Sequence, residues 1–104
     1  MAATETQVAE LAQLDGRDVA ALTEPMDVYA DDPTTRDDQV AVYNHGERYI
    51  VTPHVPVCDC PDMIHRRPAR GCKHIRRYQF ATGQRSIPAG VDEDALDDGL
   101  GVSR

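Results

Sequence analysis

Polar and apolar residues alternate most clearly over two short stretches, Gln39-Val40-Ala41-Val42-Tyr43 and Arg48-Tyr49-Ile50-Val51-Thr52. Both are rich in β-branched and aromatic residues, which suit a pleated, half-buried surface, and Asn44-His45-Gly46-Glu47 separates them. A two-residue turn at His45-Gly46 fixes the register of the hairpin: Val42 lies opposite Tyr49 and Val40 opposite Val51, with all four on one face. A lone hairpin is not stable in water, so that face needs cover. His54-Val55-Pro56-Val57 is expected to run on as a third extended piece, confined to an edge by Pro53 and Pro56.

The period changes after these strands. From Cys72 to about Ala81 the spacing predicts a helix, with Ile75 and Tyr78 on the same face as Cys72 and with Lys73, Arg76 and Arg77 turned largely to solvent. Thr82-Gly83 stops it. The front of Asp62–Gly71 suits a single helical turn that Pro68 ends. Near the start of the chain, residues 4–13 suit a short helix capped by Thr4 or Thr6, with Val8, Leu11 and Ala12 on one face. Asp15-Gly16 closes it, and residues 17–24 suit another turn or two before Pro25. Residues 31–38 read as a polar linker, with the ordered module starting after it. Residues 86–104 hold Pro, Gly and acids with few large apolar side chains, and are expected to be disordered. The organisation is therefore an N-terminal helical and acidic region with linker (1–38), a compact module (39–85) and an acidic tail (86–104).

Composition makes the core a problem. The 104 residues include one Phe and no Trp, and the mean hydropathy is −0.53. Below roughly 70–80 ordered residues a core seldom suffices alone, and a metal often makes up the deficit. No stretch approaches the ~18 apolar residues of a membrane span, and no basic segment leads into an apolar run near the N-terminus. A cytoplasmic location and no membrane partner are expected. In a reducing compartment three cysteines, an odd number, point to metal binding rather than to disulfides.

Those cysteines fall in one pattern: Cys58-Asp59-Cys60-Pro61, then Gly71-Cys72-Lys73-His74. Cys58, Cys60, Cys72 and His74 form a full tetrahedral donor set for Zn²⁺. The spacing carries a geometric demand. Residues two apart in a regular strand are about 6–7 Å from each other, too splayed to share one ion, so Cys58–Cys60 should be a turn at a strand end with amides facing the sulfurs. Residues two apart in a helix diverge by roughly 200°, so Cys72 should sit at or before a helix start with His74 in the first turn. Gly71 frees the backbone to enter that way. His45, His54 and His65 are alternative fourth ligands; three free buried cysteines, or a strained Cys58–Cys60 disulfide, are the non-metal alternatives. A closed ligand set leaves no open position for water or substrate. No phosphate loop, nucleophile–base set or deaminase glutamate accompanies it. The expectation is a protein that is not an enzyme and has no small-molecule substrate.

Charge is uneven. The net charge is −7, yet residues 58–85 carry seven basic residues against Asp59 and Asp62, while both flanks are acidic. Arg66, Arg67, Arg70, Lys73, Arg76 and Arg77 are thus candidates for a phosphate-contacting surface, with Tyr78 nearby. The alternatives are a solvated helix face, or compensation of the −1 charge of Zn²⁺ with three thiolates. Aspartate outnumbers glutamate, and ten arginines stand against one lysine, a usage that resembles proteins of salt-loving archaea. High salt weakens phosphate contacts.

The C-x-C…C-x-H pattern, preceded by a hairpin containing Tyr49-Ile50-Val51 and continued as Cys72-Lys73-His74-Ile75, resembles the SWIM zinc finger over roughly Val40–Ala81. Pro61, Gly71 and Lys73 also match that family's usual sequence. The resemblance implies a small α+β zinc-binding domain, in which a β-hairpin with its third extended segment packs on one helix around a single structural zinc. Short N-terminal helices and a disordered acidic tail would flank it. It also implies binding of DNA or of another protein. A module without a catalytic domain is expected to act as a DNA-metabolism accessory, or as an adaptor beside a partner such as a recombinase paralogue.

Overall fold

A computed structural model of the chain describes residues 14–100, together with the backbone of 102–103; the helix expected at 4–13 lies outside the described residues. The elements in order are α1 (Gly16–Thr23), β1 (Met26–Tyr29), β2 (Val40–Asn44), β3 (Glu47–Thr52), β4 (Val57–Cys58), α2 (Pro61–His65) and α3 (Lys73–Ala81). A 3₁₀ turn at Glu93–Ala95 and β5 (Val102–Ser103) follow. The fold is a small α+β arrangement. Strands β4-β3-β2-β1 form an antiparallel sheet, and β5 adds to β1 in parallel.

The hairpin has the expected register, Val42 opposite Tyr49 and Val40 opposite Val51. His45 (φ 52) and Gly46 (φ 80) both take the left-handed conformation. Two positive φ values match the twist of the flanking strands. Val40, Val42 and Val51 are buried with Met26, Val28 and Ile75, and Tyr49 packs against them.

Four features depart from the sequence reading. Residues 53–56 form a turn, and only Val57–Cys58 pairs as a strand. The ordered unit begins well before residue 39. Asp15 caps α1 in a reciprocal capping box with Asp18, β1 pairs with β2, and α1 packs along α3. The segment after residue 85 is not free of structure: Ile87, Leu96 and Leu100 pack on Ala21, Leu22 and Phe80, and the Asp97 amide donates to the Leu22 carbonyl at 2.9 Å.

The fourth departure concerns the basic helix face. Arg76 and Arg77 are 2% and 0% exposed. The reason is that α3 has cover on two sides. Its Ile75 faces the sheet cluster, and its Phe80 faces the cluster built by α1. Arg76 donates to the Gly71 carbonyl at 2.8 Å and to Asp18 at 3.1 Å. Arg77 donates to the carbonyls of Ala21, Glu24 and Met26 and pairs with Asp97. Among the described residues no helix is long and apolar enough to cross a membrane.

Candidate metal centre

Three local structures bring the four donors together. β4 ends at Cys58, and Asp59 then fastens the knuckle to β3: its amide donates to the Ile50 carbonyl at 3.2 Å, and its carboxylate accepts from the Ile50 amide at 2.8 Å. That pinning bends the chain between the two cysteines, as ligands two residues apart require. Cys60 is then the N-cap of α2, with Pro61 in the first helical turn, where its missing N–H costs nothing. Cys72 is the N-cap of α3, with His74 in the first turn. Gly71 enters at φ 90 with the Ile75 side chain beside it, and a Cβ there would lie 2.9 Å from the Ile75 Cγ2.

All four donors are buried, and their ligand atoms lie within 4.8 Å of one another. His74 Nδ1 is 3.8 Å from the Cys58 sulfur and 3.7 Å from the Cys72 sulfur. Four ligands set tetrahedrally at Zn–S ≈ 2.3 Å and Zn–N ≈ 2.0–2.1 Å would be separated by about 3.6–3.8 Å. The cluster is therefore close enough to hold a metal ion. Of the four histidines it is His74 that joins the cysteines; His45, His54 and His65 are exposed.

The three thiols shift one another's ionisation. The hydrogen bond with Cys72 and then burial push the Cys58 thiol far up, and burial pushes Cys60 up. Cys72 is held down to about 4 by the hydrogen bond from Cys58, then by His74 and the Ile75 amide. A bound metal would favour the thiolate form of all three. The amides of Cys60 and Met63 act on the Cys58 and Cys60 sulfurs in the same thiolate-favouring direction. The His74 ring stacks on Tyr49 at 4.2 Å between centroids.

The six basic residues singled out by sequence do not form one surface. Arg76 and Arg77 are buried among carboxylates and carbonyls, a correction to their expected exposure to solvent. Arg70 pairs with Asp15 at 2.9 Å and Lys73 with Glu24 at 2.6 Å. Arg66, with 77% side-chain exposure, touches Asp62 only at 3.7 Å, and Arg67 is exposed. Sequence reasoning missed Asp15, Asp18 and Asp97 as the partners of these cations. They lie far away in sequence, and the available signal, an Asp-x-x-Asp capping box at residues 15–18, marks a helix start rather than an ion pair.

No protein-family model, curated protein or solved structure matches the chain.

Proposed function

We propose that Cys58, Cys60, Cys72 and His74 hold a single structural Zn²⁺ in a SWIM-type module, and that the module works as a protein-interaction adaptor in DNA metabolism. Three thiols and an imidazole suit zinc among the common metals. All four being buried suits a structural role, with the ion joining the strand-end knuckle to the start of α3.

The observation that favours an adaptor is the inward turn of the arginines. Of the five exposed large apolar side chains among the described residues, Val55, Val57 and Ile64 flank the metal knuckle. His65, Arg66 and Arg67 follow them. Exposed apolar side chains on either side of the knuckle, with exposed Arg66 and Arg67 next in sequence, suit a partner segment carrying both apolar and acidic side chains. The second reading, nucleic-acid binding, retains support from Arg66 and Arg67, which remain open to solvent.

A pulldown with the zinc-loaded chain at two salt concentrations, beside a DNA-binding assay, tests the choice. The adaptor reading expects a stoichiometric protein partner that Ile64→Asp abolishes while zinc content stays constant. DNA binding that Arg66→Ala with Arg67→Ala abolishes, with no partner sensitive to Ile64→Asp, would overturn it in favour of the second reading.

A further inference from the structure

The face of the sheet turned away from the core carries a cavity of about 420 Å³, lined by Asp27 and Tyr29 of β1, Asp32 beyond it and Tyr43 of β2. Strand alternation explains the grouping. Met26 and Val28 lie in the core, so Asp27 and Tyr29 point the other way, and Tyr43 lies opposite Asp27 in the ladder. The two rings meet at right angles, with 5.5 Å between centroids and 87° between planes, and so form a corner. Asp32 fixes one side of it: one carboxylate oxygen accepts from the Tyr43 hydroxyl at 2.6 Å, and the other accepts from the Thr34 amide at 2.9 Å.

The charges of this face are one-sided. Residues 24–32 hold Glu24, Asp27, Asp31 and Asp32 and no lysine or arginine. Asp27 is exposed, and among the described residues it forms no ion pair. Arg48 lies opposite Tyr43 on β3. Its contact is with the Tyr43 hydroxyl and its charge acts on Asp32, but it pairs with neither aspartate. Two aromatic rings beside two carboxylates suit a cation, and the geometry selects among cations. A quaternary ammonium has no N–H for Asp27 and is held by ring faces on several sides, whereas a corner of two rings leaves it half open. A lysine ammonium is a strongly hydrated point charge. A guanidinium is weakly hydrated, stacks on an aromatic face and delivers two parallel N–H donors to one carboxylate.

We infer that this cavity binds an arginine side chain of a partner protein, its guanidinium stacked in the tyrosine corner and forked onto Asp27. Asp32 holds Tyr43 in place and adds negative charge beside it. The surface is distinct from the metal knuckle, since β4 and β1 are separated by β3 and β2 in the sheet, and it is opposite in charge. The inference goes beyond the adaptor reading and uses none of the metal ligands.

The test is a ¹H–¹⁵N NMR titration of the zinc-loaded full chain with a capped glycine peptide carrying one arginine, at constant ionic strength. Twin peptides carry lysine, or citrulline, which keeps the shape of arginine without its charge. Saturable shifts at the amides of Asp27, Tyr29 and Tyr43 are expected with arginine, weaker binding with lysine and none with citrulline. Asp27→Asn should weaken arginine binding by roughly three- to tenfold, as loss of one exposed charge-assisted contact does. Tyr29→Leu should weaken it by roughly two- to fivefold, as loss of an exposed cation–π contact does. Glu93→Gln, which removes the same charge from an exposed turn outside the cavity, should leave it unchanged. Absent shifts, equal binding of the lysine or citrulline twin, or an unaffected Asp27→Asn variant would overturn the site. Binding seen only in an Arg48→Ala variant would show that the chain's own arginine fills the cavity, and would overturn it as well. Shifts of the same amides on raising protein concentration without peptide would assign the cavity to a second copy of the chain and overturn a foreign partner. Ile64→Asp should leave arginine binding intact, so loss of this site and loss of the knuckle partner are read separately.

Discussion

Replacing Arg77 by Leu separates a structural arginine from a nucleic-acid contact. Its guanidinium is fully buried and donates to the carbonyls of Ala21 and Glu24 at 3.1 Å each and of Met26 at 2.6 Å, besides pairing with Asp97. Those acceptors tie the end of α1, the start of β1 and the segment after residue 85 to α3. Leucine restores apolar volume but leaves the Asp97 carboxylate without its cation and three carbonyls without the guanidinium donor. A hydrogen bond to a charged group contributes about 1.5–3 kcal/mol and such losses do not add, so the bound comes from breaking a buried pair, about 3–5 kcal/mol. Against a total stability of about 5–15 kcal/mol this is a large fraction. With a urea m-value of about 1.5 kcal/mol/M the midpoint should fall by about 2–3 M. The assay is urea unfolding followed by circular dichroism at fixed excess zinc, since free metal sets apparent stability. A change under about 1 kcal/mol together with a large loss of DNA affinity would refute the placement of Arg77 inside the fold.

Other outcomes follow from the same structure. Gly71→Ala should destabilise by about 2 kcal/mol in the same assay, because alanine is strained at φ 90 and its Cβ would press on Ile75. His74→Ala should abolish tight Zn²⁺ binding and native near-ultraviolet dichroism together, whereas His65→Ala should leave both intact; a metal titration checks both variants. The Arg17 pair holds Asp62 below the usual carboxylate range. Burial raises Asp97, but its bonds with Arg77 and the Met26 amide outweigh this and hold it low as well. Groups depressed on folding stabilise fully above their unfolded pKa, about 4, and that stabilisation disappears as pH falls through the folded value. Stability should therefore decline below about pH 4 in a pH series, with a shallower decline in Asp62→Asn.

What could be read from the sequence was local. The hairpin register follows from two five-residue stretches and one turn. The positions of Cys72 and His74 at a helix start follow from the angular step of a helix. The remainder depends on contacts between distant segments. β1 is four residues in an acidic stretch, and the alternation Met26-Asp27-Val28-Tyr29 is too short to stand out until β2 pairs with it. Arg76 and Arg77 follow a helical period that assigns them to solvent. They are buried because α1 lies over that face and brings Asp15 and Asp18, while Asp97 returns from the other end. The segment after residue 85 has few large apolar residues, but Leu96 and Leu100 reach a small cluster that did not exist in the linear pattern.

The central claim is that three thiolates and one imidazole hold zinc and that the ion stands in for a larger core. X-ray absorption at the zinc edge, with metal analysis of the same purified chain, tests it most directly. The account predicts one zinc per chain with three sulfur scatterers at about 2.3 Å and one nitrogen at about 2.0–2.1 Å. A metal-free chain that is nonetheless folded, or a shell dominated by oxygen and nitrogen, would contradict it.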